Sequence, residues 1–407
     1  MRFLFVHQNF PGQFRHVARA LSADPRHQVV GIGALDNVRG NRALYPGIKV
    51  LGYPALSEPK AQTHPYLRDT EVQVRRGQHA ARAALRLKSE GYVPDVVVAH
   101  PGWGEALFLK DLFPTARHIL YCEFFYQADG ADMGFDPEFP HTLDDRLKVR
   151  MRNASQLLSL SQCDIGVAPT HWQRSCFPPE YQARIEVLHE GIDTQRVAPC
   201  PSASVTLRDR TLRVGDPVVT YSARNLEPYR GFHRFMRSLP GLQSACPQAQ
   251  VLIVGGDRVS YGRRLPDGQT YRARYSAEID GQVDWSRIHF LGKLPYPAYL
   301  DVLRISAAHV YLTYPFVLSW SMLEAMAAGC LLVGSDTAPV REVIEDGVNG
   351  RLVDFFDSDD LVCAIGEALG DPQRHATMRC NARELVRRDY DLHARCLPGW
   401  IDLVTGS

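Results

Sequence analysis

The stretch Thr313–Leu352, TYPFVLSWSMLEAMAAGCLLVGSDTAPVREVIEDGVNGRL, decides the fold. After the kink-prone Pro315, Ser319 and Ser321 open a helix predicted over Trp320–Ala328, and Gly329 ends it. Leu331-Leu332-Val333-Gly334 is the short apolar run of a buried parallel strand, and Glu342 falls on a second helix closed by Gly347 and Gly350. A loop that runs into a helix start offers free backbone N–H groups and the positive end of the dipole to whatever lies beyond, and a phosphate suits such a site.

The same alternation of apolar strands and amphipathic helices extends over the rest of the chain, the pattern of an α/β sheet wound on both faces. Strands are expected at Arg2–Val6, Gln28–Ile32, Asp95–Ala99, His118–Cys122 and Ile165–Ala168, and Phe14, Val17, Ala18 and Leu21 share one face of the first helix. The rhythm breaks in the polar, proline-bearing segment around Arg196–Pro217 and then resumes at Pro217–Ser222, Gln250–Val254, Arg287–Leu291, His309–Leu312 and Cys330–Val333. With 407 residues, two domains are expected. Their bounds are 1–196, a connection at 197–216, 217–388, and a terminal helix over 389–407.

Composition narrows the function classes. Lys plus Arg number 46 against 45 for Asp plus Glu, so bulk charge makes no case for nucleic acid. Nine scattered cysteines without a C-x-x-C suggest neither a disulfide framework nor a zinc cluster, which fits a reducing cytoplasm. No run of about 18 apolar residues spans a bilayer. The first strand meets Pro11-Gly12 too soon for a signal peptide. No G-x-G-x-x-G follows a strand, which argues against a nicotinamide dehydrogenase.

Several segments have residue types suited to a site, each with a plainer reading beside it. In FPGQFRH (Phe10–His16), Pro11-Gly12 lets the backbone pass close to a ligand at the sheet's carboxyl edge, or simply makes a loop. His100 ends a buried strand before Pro101-Gly102-Trp103-Gly104, where it either faces a ligand or is a satisfied core histidine. Arg224 and Arg230 in YSARNLEPYRGFHRF are either solvated or converge on a diphosphate, whose growing negative charge two guanidiniums stabilise. Ser321-Met322-Leu323-Glu324 is an S-x-x-E pattern, so Glu324 either caps its own helix or meets a ligand. Gly255-Gly256-Asp257 is a glycine turn after a strand. The loop Cys122–Pro140 joins aromatics with Glu123, Asp129, Asp132 and Asp136; without EF-hand spacing it reads as a solvated or acceptor-binding loop rather than a metal site.

In order and spacing, LEAMAAG (Leu323–Gly329) followed by EVIEDGVNGRLV (Glu342–Val353) resembles the donor-binding signature of the retaining nucleotide-sugar glycosyltransferases of family 4. The likeness covers nearly the whole chain. It implies a GT-B-like α/β fold of two Rossmann-like, doubly wound parallel-sheet domains facing each other across a cleft, with the terminal helix crossing back to the first. By the same likeness, Glu324 meets the donor ribose, Gly12 and His100 border the donor sugar, and Gly255 and Gly256 lie under the nucleotide base. Glu190-Gly191-Ile192-Asp193 stands where the family commonly has Asn-Gly-x-Asp. Arg224 and Arg230 act on the leaving diphosphate, with Arg230 in place of a lysine and Asn225 as an inserted residue. The segment Phe316 to Ser319, with Leu318 in it, passes its backbone amides around the distal phosphate, Ser319 replacing a glycine, and Trp320 lies on the donor side. Trp103, Glu123 and Phe124 fall on the acceptor side. The family's first glutamate, eight positions before Glu324, is here Phe316. The implied activity is transfer of a sugar from a nucleoside-diphosphate sugar to an acceptor hydroxyl with retention, in glycan or glycoconjugate biosynthesis. It needs no metal or other cofactor. The acceptor is a saccharide, a lipid-linked molecule or a protein, and peripheral contact with the inner face of a membrane is compatible with the helices. An epimerase of the same architecture and a non-catalytic sugar-nucleotide binder are the alternatives.

Overall fold

The computed structural model describes residues 1–57, 59, 61–208 and 210–406. They form two compact units, Met1–Gly191 with His393–Ser407, and Ile192–Leu392.

The first unit is built on seven parallel strands: β1 (Arg2–Val6), β2 (Gln28–Ala34), β3 (Lys49–Tyr53), β4 (Val96–Ala99), β5 (Arg117–Tyr121), β6 (Ile165–Ala168) and β7 (Ile185–Val187). Their order is β3-β2-β1-β4-β5-β6-β7. Strand residues alternate between two apolar cores, one on each face. Leu4, Val6, Val97 and Leu120 meet the helix Arg68–Ser89 through Ala80, Ala84 and Leu87. Phe3, Phe5, Val98 and Tyr121 meet Val17 and Leu21 of the helix Arg15–Ala23, and Trp400, Leu403 and Val404 of the terminal helix Leu397–Thr405. With both faces covered the strands read as continuous apolar runs, which is why the central ones were legible. The edge strands β3 and β7 are only partly buried and lack a continuous apolar run, and the sequence does not announce them.

The segment expected as a connection carries an antiparallel pair, β8 (Ser204–Thr206) and β9 (Thr211–Arg213), which buries Leu212 and half-buries Val205 against Leu252 and Val302 of the second unit. That unit carries β10 (Val218–Asn225), β11 (Gln250–Gly256), β12 (Ile288–Gly292), β13 (Ala308–Tyr311), β14 (Leu331–Ser335) and β15 (Arg351–Val353), all parallel, in the order β12-β11-β10-β13-β14-β15. The helix Trp320–Ala328 forms at its expected bounds and buries Met322, Ala325 and Met326 against Leu332, Ala382 and Val386. The helix expected to contain Glu342 is a single turn, Ala338–Arg341, with Glu342 as its C-cap. Pro339 at the start and a compact turn at Asp346–Gly350 leave no room for more.

In each sheet the chain reverses its direction of winding beside the first strand, between β1 and β4 and between β10 and β13. The carboxyl ends of these strands are where open α/β sheets place ligands.

Candidate functional site

In the second unit a register shift near Ser222–Asn225 ends β10 and leaves Arg224 exposed beside buried Asn225. One turn of 3-10 helix follows, Pro228–Arg230, and Gly231 closes it at a φ of 66°. A Cβ there would stand 2.3 Å from Leu312 Cβ, so only glycine lets Arg230 come up against the end of β13. Arg230 is buried, and its Nη1 donates to Thr313 Oγ1 at 2.8 Å, the Val317 carbonyl at 2.9 Å and the Tyr311 hydroxyl at 3.2 Å. Its guanidinium carbon lies 5.7 Å from the ring centroids of both Tyr261 and Phe316. Being permanently charged, it brings a fixed cation to this edge.

Arg224, Arg230, Ser319 and Ser321 line one pocket of about 130 Å³, together with Glu227 and Tyr261. The two arginines therefore share a site with the helix start, but the helix start is less open than its sequence implied. Ser319 is the N-cap, its hydroxyl accepting the Ser321 N–H at 3.4 Å, while its own N–H donates to the Tyr311 hydroxyl at 2.8 Å.

The side chains of the neighbouring segment, whose backbone amides were expected at the phosphate, point elsewhere. Phe316 is 2% exposed and wedged edge-on against Tyr261 and Tyr229, at 4.8 and 5.4 Å between centroids. Leu318 is buried in the core beneath the helix, and Trp320 is exposed. None of the three side chains lines the pocket. Glu324 does not cap its helix: Oε1 accepts the Tyr296 hydroxyl at 2.7 Å. Gly255 and Gly256 end β11, where close packing demands the first of them. A Cβ on Gly255 would meet Leu226 at 2.7 Å and the Ala223 carbonyl at 2.8 Å, whereas one on Gly256 would meet the ends of the Lys293 and Asn225 side chains, at 2.5 and 2.8 Å, which can move aside. Tyr311, Thr313, Tyr261 and Glu227 were missed in the sequence, although Thr313 and Glu227 lay inside stretches it singled out.

In the first unit His7 leaves β1, His100 leaves β4 and Glu123 follows β5. Gly12, at φ 50°, lies so close that a Cβ would stand 2.9 Å from the His7 ring. The His7 and His100 rings meet edge to face at 5.2 Å. His100 Nδ1 accepts the Gly102 N–H at 3.1 Å, so the proton sits on Nε2, 3.3 Å from Glu123 Oε2. Gln13 donates to the other carboxylate oxygen at 2.7 Å. Burial raises the Glu123 pKa, but the hydrogen bonds from His100 and Gln13 outweigh it and hold the carboxyl below its usual range. Burial and the neighbouring His100 press His7 down to about 3, so it is neutral. Trp103 stacks over His100 at 6.0 Å. Gly12, His100, Trp103 and Glu123 are thus gathered, whereas Phe124 is buried between Tyr126 and Trp172. His7 was not foreseen, because it reads as the end of a strand. An ionised carboxylate beside oriented imidazoles can accept hydrogen bonds from hydroxyl groups.

Residues 25–197 match the model of the glycosyl transferase family 4 group, and residues 205–385 match that of the glycosyl transferases group 1; each is under half of the chain, and together they cover most of it. A GDP-mannose-dependent alpha-(1-6)-phosphatidylinositol monomannoside mannosyltransferase of Mycolicibacterium smegmatis is 27% identical over 58% of this chain and 60% of its own length. A phosphatidyl-myo-inositol mannosyltransferase of the same organism is 31% identical over 50% of this chain and 47% of its own. The chain therefore matches between about half and three fifths of these relatives' length. Among solved structures, HepE of Anabaena in complex with UDP superposes with a TM-score of 0.72 over the whole of both chains at 16% identity. Sucrose-phosphate synthase from Thermosynechococcus elongatus gives 0.72 at 15%, again over both chains.

Proposed function

We propose, from the premise that this chain belongs to the family 4 glycosyltransferases and has their GT-B fold, that it transfers a sugar from a nucleoside-diphosphate sugar to an acceptor hydroxyl with retention and without a metal. The observation that carries this is the convergence of Arg224, Arg230 and the Ser319 helix start on one pocket. Fixed positive charge that holds the departing diphosphate better as its charge develops lowers the barrier to breaking the sugar bond. The GDP-mannose of the relatives and the UDP held by HepE support a nucleoside diphosphate as the leaving group. Glu123 and His100 are assigned to hydroxyls of the sugar or acceptor.

A lipid-linked acceptor is favoured by a pocket of about 550 Å³ in the first unit. It is lined by Phe125, Tyr126, Leu143 and Leu147 and begins one residue after Phe124 in the chain. No helix among the described residues is long and apolar enough to cross a membrane, so such a lipid would be met at a surface.

A panel of nucleotide sugars screened by thermal shift, followed by radiolabelled transfer to lipid extracts, tests the reading. Isomerised donor in the absence of acceptor would identify an epimerase. Donor binding without turnover on any acceptor would identify a binding protein.

A further inference from the structure

Glu227 sits on the wall of the arginine pocket, yet its charge is engaged elsewhere. The residue is 1% exposed. Oε1 accepts the N–H of Ser260 at 2.9 Å, and Oε2 accepts the N–H groups of Tyr261 at 3.1 Å and Gly262 at 2.9 Å. Three successive backbone N–H groups turned toward one anion make a nest of the kind that binds phosphates. Here the nest is filled by the chain's own carboxylate. A second tie joins the same two segments, from Asn225 Nδ2 to Ser260 Oγ at 2.6 Å.

What the carboxylate holds is functional in its placement. Tyr261 lines the pocket and lies over the Arg230 guanidinium, and its ring is fixed against Phe316. The loop between β11 and the helix Tyr271–Glu278 also carries the exposed Arg258, Arg263 and Arg264, none of which lines the pocket. Without the carboxylate, three N–H groups lose their acceptor and Tyr261 loses its fixed position beside Arg230.

We infer that Glu227 is a positioning residue, which latches the Ser260–Gly262 loop so that Tyr261 and Arg230 form a preorganised diphosphate pocket. This inference rests on the pocket reading given above. It has a sign that plain electrostatics does not share. If Glu227 acted only as a nearby negative charge, removing it would tighten the binding of an anion. If it acts as a latch, removing it weakens that binding.

The experiment uses the full chain and inorganic pyrophosphate, titrated calorimetrically into the parent, Glu227→Gln and Glu227→Ala. Trypsin cleavage at Arg258, Arg263 and Arg264 reports the loop. The latch predicts at least tenfold weaker pyrophosphate binding and at least tenfold faster cleavage for Glu227→Ala. Glu227→Gln, which keeps one acceptor oxygen, should fall between that variant and the parent. It also serves as the folded comparison should the alanine variant fail to fold. Equal or tighter binding by the folded variants overturns the latch and leaves the pocket reading standing. A parent that binds no pyrophosphate overturns both.

Discussion

Tyr296 donates its hydroxyl to Glu324 Oε1 at 2.7 Å, joining the helix Tyr296–Arg304 to the helix Trp320–Ala328. The glutamate that the local pattern would assign to capping is thereby turned across to another helix, while Ser319 does the capping. Glu324→Gln keeps an acceptor for Tyr296 but loses the charge that, on the reading proposed above, pairs with ribose hydroxyls. It should leave the melting temperature within about 2 °C of the parent and weaken donor binding by roughly tenfold or more, since hydrogen bonds to charged groups contribute about 1.5–3 kcal/mol. Calorimetric titration of the donor identified by thermal shift, with a melting curve on the same sample, checks both halves. Lower stability at unchanged affinity would assign Glu324 to the helix contact alone.

Arg230 is anchored more heavily than its sequence indicates. Replacing it by alanine leaves the Thr313, Val317 and Tyr311 oxygens without their donor. Arg230→Ala should therefore lose stability as well as turnover, contrary to what a solvent-facing ligand arginine would do, and alone it does not isolate a catalytic effect. Arg230→Lys keeps the charge and one or two of these bonds. It should recover most of the melting temperature while still turning over about 100-fold more slowly, the scale expected for one misplaced charge-stabilising group. Parental rates for the lysine variant would remove Arg230 from the mechanism.

Phe316 stands where the resemblance implies a glutamate, yet it is buried among aromatic rings. Phe316→Glu should not restore sugar recognition. A carboxylate forced into that cluster should cost about 3 kcal/mol or more, read from urea unfolding. A stable variant with faster turnover would mean that the aromatic cluster opens more readily than its packing implies.

Three histidines, His7, His189 and His309, are buried, and burial holds each near pH 3. Unfolded, each takes a proton below about 6.5. The unfolded state therefore binds more protons between these values, and stability, full above pH 6.5, is lost progressively as pH falls toward 3. His309, hydrogen-bonded to Thr220 at 2.7 Å, does not itself line the arginine pocket and makes the cleanest test. Between pH 7.5 and 4.5, His309→Gln should lose about 2–3 kcal/mol less stability than the parent. Parallel losses in denaturant titrations at the two pH values would refute it.

The parallel sheets were legible because their central strands, covered on both faces, are unbroken apolar runs such as Phe3-Leu4-Phe5-Val6 and Val96-Val97-Val98. The helix Trp320–Ala328 was legible to the residue because Ser319 and Gly329 cap it locally. Pairings across distance were not. Arg230 finds Tyr311, Thr313 and Val317 more than eighty positions away, and Glu227 finds Tyr261 thirty-four away. No period or spacing encodes such meetings. His7 escaped for a related reason: only the neighbourhood of His100 and Gly12 in space distinguishes it from a strand terminus.

The helix Leu397–Thr405 completes the first unit, although the whole of the second unit precedes it in the sequence. A ribosome therefore releases the segment bearing Trp400 only after both sheets have emerged, and until then Phe14 and Tyr121 face water where Trp400 will lie. The first unit matures last. Cutting the gene after Gly191 should yield a sticky, chaperone-dependent fragment, and supplying residues 393–407 as a separate peptide should rescue its solubility.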